Sequence, residues 1–199
     1  AVMDRIVGIS SKVIVMANKG RELLRSIYRV PDEEIEVIAH GIPDFPFVEP
    51  DAAKARLGFS GRSVILTFGL LSPSKGIEVM IDAMPQIKTA CPKAYFLMVG
   101  DGSLRDQLSA QADQLGMTDC ICFVGFQSDP RPYLGLMDAF VLPVPVGSMS
   151  IGLLEAMAMR RAVVITFGGK GEAVIHGESG FCAEPRNADS IAEFVIRIL

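Results

Sequence analysis

Short, continuously apolar runs alternate with helical stripes along almost all of this 199-residue chain, and few folds accept that alternation. The β-rich runs are Lys12–Met16, Glu36–Ala39, Val64–Gly69, Ala94–Gly100, Cys120–Gly125, Ala139–Pro143, Ala162–Thr166 and Gly180–Ala183. Between several of them, apolar residues recur at helical spacing: Ile77, Met80, Ile81, Met84 and Ile87; Leu104, Leu108 and Leu115, with a polar break at Gln111; Ile191, Phe194, Val195 and Ile198. A strand apolar on both faces has to be covered on both. The pattern therefore predicts the α/β class, a doubly wound parallel sheet with helices on both faces.

The stretch Pro43–Pro50 is dense in proline and reads as a connector without regular structure. It separates a leading segment, residues 1–45, from a main domain, residues 46–199. The pattern is already under way at Ala1 and still runs at Leu199, so a piece of a longer protein is expected. The chain is 50% apolar and 21% charged, which reads as globular. Its net charge of −4 leaves no basic excess for neutralising phosphates, so nucleic acid is not an expected partner. No apolar run approaches the roughly 18 residues of a membrane span. Cys120 and Cys122 lie in one predicted strand with their side chains on one face, and buried thiols are a better reading than a metal site.

In an open parallel sheet, ligands bind at the carboxyl ends of the strands. There the sequence places Gly69-Leu70-Leu71-Ser72-Pro73-Ser74-Lys75-Gly76, then Gly100-Asp101-Gly102-Ser103, then Gly125-Phe126-Gln127. After Ala139–Pro143 comes a helix start rich in small and hydroxyl residues, Gly147-Ser148-Met149-Ser150-Ile151-Gly152. Free N–H groups and the positive end of a helix dipole suit an anion, and Lys75 adds a cation. Glu155 lies one turn inside that helix, on a face shared with Ile151, Leu154 and Ala158. A carboxylate there is a good acceptor for a pair of sugar hydroxyls. Each feature also has a plain reading: Lys75 a solvated lysine, Ser103 and Ser150 helix caps, Glu172 a first-turn acid, His40 and His176 loop residues. No Gly-x-Gly-x-x-Gly, Walker-type or Gly-x-Ser-x-Gly pattern occurs, and no Asp-x-Asp pair calls for a divalent metal.

Taken in series, these segments resemble the carboxyl-terminal, donor-binding domain of the retaining GT-B glycosyltransferases, glycosyltransferase family four in particular. The similarity runs through Ile38-Ala39-His40-Gly41-Ile42, Phe68–Glu78, Val99–Arg105 and Phe123–Phe126. Its most specific part is Gly152-Leu153-Leu154-Glu155-Ala156-Met157-Ala158 followed by Ala162–Thr166, and Gly168-Gly169…Glu172…Gly177–Phe181 completes it. The resemblance implies a hexosyl-type transferase using a UDP-, GDP- or ADP-linked sugar, with retained anomeric configuration. It needs neither cofactor nor metal. Lys75 would hold the donor diphosphate and Glu155 the ribose hydroxyls, these two being the catalytic candidates. Gly69, Leu70, Gly100, Gly147 and the amides of Ser148, Met149, Ser150 and Ile151 would border phosphate and sugar, and Gly125 and Phe126 the base.

It further implies a carbohydrate or lipid-linked acceptor held by an amino-terminal domain outside this chain, so the chain alone is expected to bind donor weakly without turning it over. A cytoplasmic location is implied, with peripheral contact at the inner face of a membrane left open through that domain. Two positions depart from the family pattern. Leu70 stands where an arginine usually pairs with the lysine, and Gly147, eight residues before Glu155, stands where a first glutamate contacts the sugar. These departures support one alternative, a degenerate nucleotide-sugar-binding domain without transferase activity; a GT-B type nucleotide-sugar epimerase, which shares much of this sheet, is a second.

Overall fold

The computed structural model describes residues 2–145, 150–166 and 172–199. The chain divides into two compact units, residues 1–43 and 44–199. In the first, α1 (Val2–Ile9), β1 (Val13–Val15), α2 (Asn18–Tyr28) and β2 (Ile35–Val37) follow in order. The two strands pair in parallel, and Leu24, Val30 and Ile35 form a small core. Arg21 Nε donates to Asp32 Oδ1 at 2.8 Å, and this hydrogen bond holds the Asp32 carboxyl below its ordinary value.

The second unit runs α3 (Pro50–Leu57), β3 (Ser63–Phe68), α4 (Ile77–Ala90), β4 (Ala94–Val99), α5 (Arg105–Gln114) and β5 (Ile121–Gly125). It continues through α6 (Arg131–Leu136), β6 (Ala139–Leu142), α7 (Ile151–Ala158), β7 (Ala162–Thr166), β8 (Phe181–Ala183) and α8 (Ala188–Ile198). Its six strands form one parallel sheet in the order β5-β4-β3-β6-β7-β8. Successive strand residues face opposite sides. Ile65 packs in a core with Met80 of α4, Leu108 of α5 and Ile191 of α8. Its neighbours Val64 and Leu66 belong to the opposite core, with Leu134 of α6 and Leu153 of α7. This is the doubly wound sheet that the apolar runs predict, and each predicted run overlaps a strand.

Three local expectations are corrected. Pro50 is not connector but the first residue of α3, a position where its missing N–H costs nothing. Ser103 does not cap α5; Leu104 holds the N-cap position, and its N–H donates to Leu71 O at 3.3 Å. Cys120 ends a one-turn 3-10 segment before β5, and only Cys122 lies in the strand. Burial pushes both thiols above the usual range.

Two buried cations fasten the connector and α3 to the sheet. Lys54, 5% exposed, donates from Nζ to Asp138 Oδ1 at 2.8 Å, while Asp138 Oδ2 accepts Val64 N at 2.6 Å. Arg161 donates from Nη2 to Gly135 O at 2.8 Å and also to Val48 O. Its guanidinium lies 5.4 Å from the Phe47 ring centre. The proline-rich stretch is thus packed down by the Val48 carbonyl and the Phe47 ring.

Candidate functional site

The strand order reverses between β3 and β6: β4 and β5 extend to one side of the pair, β7 and β8 to the other. Loops leaving the carboxyl ends of β3 and β6 diverge, and a crevice opens between them. Gly69, Leu70, Lys75 and Ser150 line one pocket of about 30 Å³ there, with Thr67, Phe68, Leu142 and Pro143. Thr67 Oγ1 donates to Val141 O at 2.8 Å, tying the two strand ends together beneath it. A larger pocket of about 260 Å³ lies away from this edge, among Val48, Ala53, Leu57 and Gly135. Arg131, among its lining residues, is paired with Asp129, with Nε 2.6 Å from Oδ1, and Arg56 also lines it.

Lys75 ends the one-turn 3-10 segment Pro73–Lys75, separated from α4 by Gly76 alone. Gly76 follows with φ 68°, and a Cβ on it would stand 2.2 Å from Pro143 O. Only glycine lets the loop pass so close to the end of β6, which brings Lys75 to the crevice. Among the described residues no carboxylate pairs with Lys75. Leu70 is 61% exposed beside it.

The glycines at these strand ends also hold the loops to one another. Gly69 N donates to Val99 O at 2.9 Å, Leu71 N to Asp101 O at 3.0 Å, and Gly100 N to Gly125 O at 3.0 Å. The loops after β3, β4 and β5 are therefore laced backbone to backbone. Gly100 has φ 143°, and a Cβ there would stand 1.8 Å from Gly69 O; one on Gly102 would stand 2.3 Å from Leu71 O. Glycine is required at 100 and 102 by loop-to-loop contact.

On the β6 side, Ser150 occupies the N-cap position of α7 without a side-chain capping bond. A Cβ on Gly152 would meet the Phe68 ring at 3.1 Å, so the first turn of α7 sits directly against the end of β3. Ile151 is 49% exposed. Glu155 lies one turn on, and among the described residues its Oε2 is buried without a hydrogen-bond partner. Burial raises its carboxyl above the ordinary value. Gly147, Ser148, Met149 and the Gly168–Gly171 run lie outside the described residues. Glu172 is in a turn, not in the first turn of a helix.

The structure thus gathers Gly69, Leu70, Lys75 and Ser150 at one pocket, sets Ile151 and Glu155 on the adjoining helix, and spreads Gly100, Gly125 and Phe126 along the neighbouring strand ends. Sequence reasoning did not single out Arg105. Its Nη2 donates to Phe123 O at 3.2 Å, and its Nη1 lies 3.7 Å from Asp101 Oδ2. Nor did it single out Glu78, whose buried Oε2 also has no partner among the described residues; its signal was an acid in the first turn of α4. Among the described residues, no three His, Cys, Asp or Glu side chains group as a metal site, and no helix is long and apolar enough to cross a membrane.

A parallel sheet that reverses at β3 and β6, with Lys75 and the start of α7 at that reversal, defines a doubly wound protein of the α/β class, in which ligands bind at that edge. The chain belongs to the Glycosyl transferases group 1 family, whose pattern matches residues 62–199. It is similar to an uncharacterized glycosyltransferase of Methanocaldococcus jannaschii, 32% identical over 200 residues covering 96% of this chain and 51% of that protein. It is also similar to the alpha-D-kanosaminyltransferase of Streptomyces kanamyceticus, 26% identical over 198 residues covering 96% and 51%. The chain spans about half the length of the curated relatives it matches. Among solved structures it resembles sucrose-phosphate synthase from Thermosynechococcus elongatus, with TM-score 0.85 and 25% identity over 99% of this chain and 51% of that one. HepE of Anabaena in complex with UDP has TM-score 0.82 and 25% identity over 94% and 53%.

Proposed function

We propose that this chain is the donor-binding half of a glycosyltransferase that moves a hexosyl group from a nucleotide-diphosphate sugar to an acceptor, with retained configuration. The observation that carries the reading is Glu155 Oε2, a buried carboxylate oxygen with no partner among the described residues, on the helix that starts at the crevice. A buried acceptor left unmade is costly, and two ribose hydroxyls would satisfy it. Family membership and the UDP-glucose complex of HepE support the same ligand class. Lys75 and the amino end of α7 place positive charge where a departing diphosphate gathers negative charge, the stabilisation from which such a reaction gains most. The acceptor is assigned to the rest of a longer protein, since the chain covers about half of its relatives.

Two measurements on the full-length protein test this. Glu155→Gln is expected to weaken donor binding about tenfold by calorimetry, because a carboxylate accepts more strongly than an amide. The same change should raise unfolding stability slightly at neutral pH, because a partly desolvated charge gives way to a neutral amide. The sign follows from the raised carboxyl. The folded wild type is least penalised below the unfolded value of 4.5 and loses stability as pH rises from there to the raised folded value. The advantage of the glutamine variant should therefore open above that pH. Unchanged donor affinity would remove Glu155 from the site. Lys75→Ala should lower kcat about a hundredfold with little change in stability; a loss confined to KM would assign Lys75 to ground-state binding alone.

The exposed Leu70, where the family resemblance places an arginine, favours a second reading as a degenerate sugar-nucleotide-binding domain. Donor binding without product from any acceptor would establish it. Failure of UDP-, GDP- and ADP-sugars alike to bind would end both readings.

A further inference from the structure

We infer that Arg105 selects the base of the bound nucleotide, favouring uracil or guanine, which carry a ring carbonyl oxygen, over adenine. This rests on the donor reading above. The crevice lies between β3 and β6, and the end of β5 is two strands beyond β3. At sheet spacing that is about 12 Å across the strand ends, a span that an extended nucleoside diphosphate covers. A diphosphate at Lys75 leaves its base within reach of the ends of β4 and β5, where an exposed aromatic ring and a guanidinium stand together.

Arg105 waits there. It stands in the first turn of α5, and its Nη1 lies 3.4 Å from the place a Cβ on Gly125 would occupy. One guanidinium N–H is used, on Phe123 O at 3.2 Å; the Asp101 carboxylate at 3.7 Å is beyond hydrogen-bond reach. Apart from this loose ion pair the remaining donors make no hydrogen bond among the described residues, and the side chain is 41% exposed. Phe126, 77% exposed, follows Gly125 and offers an aromatic face for stacking. A guanidinium has five donors and no acceptor. It complements the carbonyl oxygen of uracil or guanine and meets an amino donor at the matching position of adenine.

The test is calorimetric binding of UDP, GDP and ADP to the full-length protein and its Arg105→Ala and Arg105→Lys variants. The unaltered protein should bind UDP or GDP at least about tenfold more tightly than ADP. Arg105→Ala should erase that preference by weakening the favoured nucleotide while leaving ADP nearly unchanged. Arg105→Lys keeps the charge and a donor for Phe123 O but lacks the planar fork, and it should lose most of the preference with the fold intact. Equal weakening of all three nucleotides would show that Arg105 only ties α5 to β5. An unaltered preference in both variants, or a wild-type preference for ADP, would overturn the inference alone. Absence of binding to all three in the wild type would overturn the donor reading and this inference with it.

Discussion

Replacing Asp138 by alanine is expected to cost the second unit about 3–5 kcal/mol, because it strands a buried cation. Lys54 is 5% exposed, and Asp138 takes its Nζ at 2.8 Å. The alternative partner, Asp51, is 3.8 Å away with a fully exposed side chain, and pairs of that kind contribute little. The substitution also deprives Val64 N of its acceptor at the start of the central strand β3. Both losses fall on α3, β3 and the turn into β6, so they weaken the sheet at its middle. Urea unfolding followed by circular dichroism measures the change. A loss below about 1 kcal/mol would mean that Lys54 escapes to solvent. Combining Lys54→Met with Asp138→Asn removes both charges yet leaves Val64 an acceptor, and it should recover most of the deficit.

The second large effect is expected at Gly100. Alanine there would put a methyl group 1.8 Å from Gly69 O at φ 143°, so neither a rotamer change nor a small shift of a side chain relieves it. The loops after β3 and β4 would have to separate, breaking Gly69 N to Val99 O or Leu71 N to Asp101 O. Strain and displaced packing together come to about 3 kcal/mol or more. Donor affinity should fall as well, since the same loops carry Leu70 and precede Lys75. Retention of both stability and affinity in Gly100→Ala would show that the two loops are not held in contact.

The sheet was legible because its signal is local. Each apolar run, from Val64–Gly69 to Gly180–Ala183, overlaps a strand, since strands covered on both faces carry no polar alternation to blur them. The helices α3 and α6 were not legible. α3 mixes Asp51, Lys54 and Arg56 into eight residues, and α6 has six residues including Pro132. The roles of Gly100 and Gly102 were half legible: the sequence shows tight turns, but the carbonyls they make room for belong to Gly69 and Leu71 in the loop after another strand. The Lys54–Asp138 pair spans 84 residues and leaves no pattern in sequence at all. At the site, Lys75 and Glu155 could be found from a cation and a carboxylate set against helix starts. Arg105 could not, because its meaning comes from lying beside Gly125.

The lacing of the three strand-end loops bears on how a family of such domains can diversify. Leu71 N to Asp101 O, Leu104 N to Leu71 O and Gly100 N to Gly125 O fix a residue-by-residue register between loops. An inserted or deleted residue in 69–72 or 100–104 would shift that register and break several bonds at once. Loop length, the usual currency of change at the ligand edge of an α/β fold, is therefore closed here. New ligand preferences have to come from exchanging side chains that face outward from the laced backbone, with 70, 105 and 126 the positions most open to it.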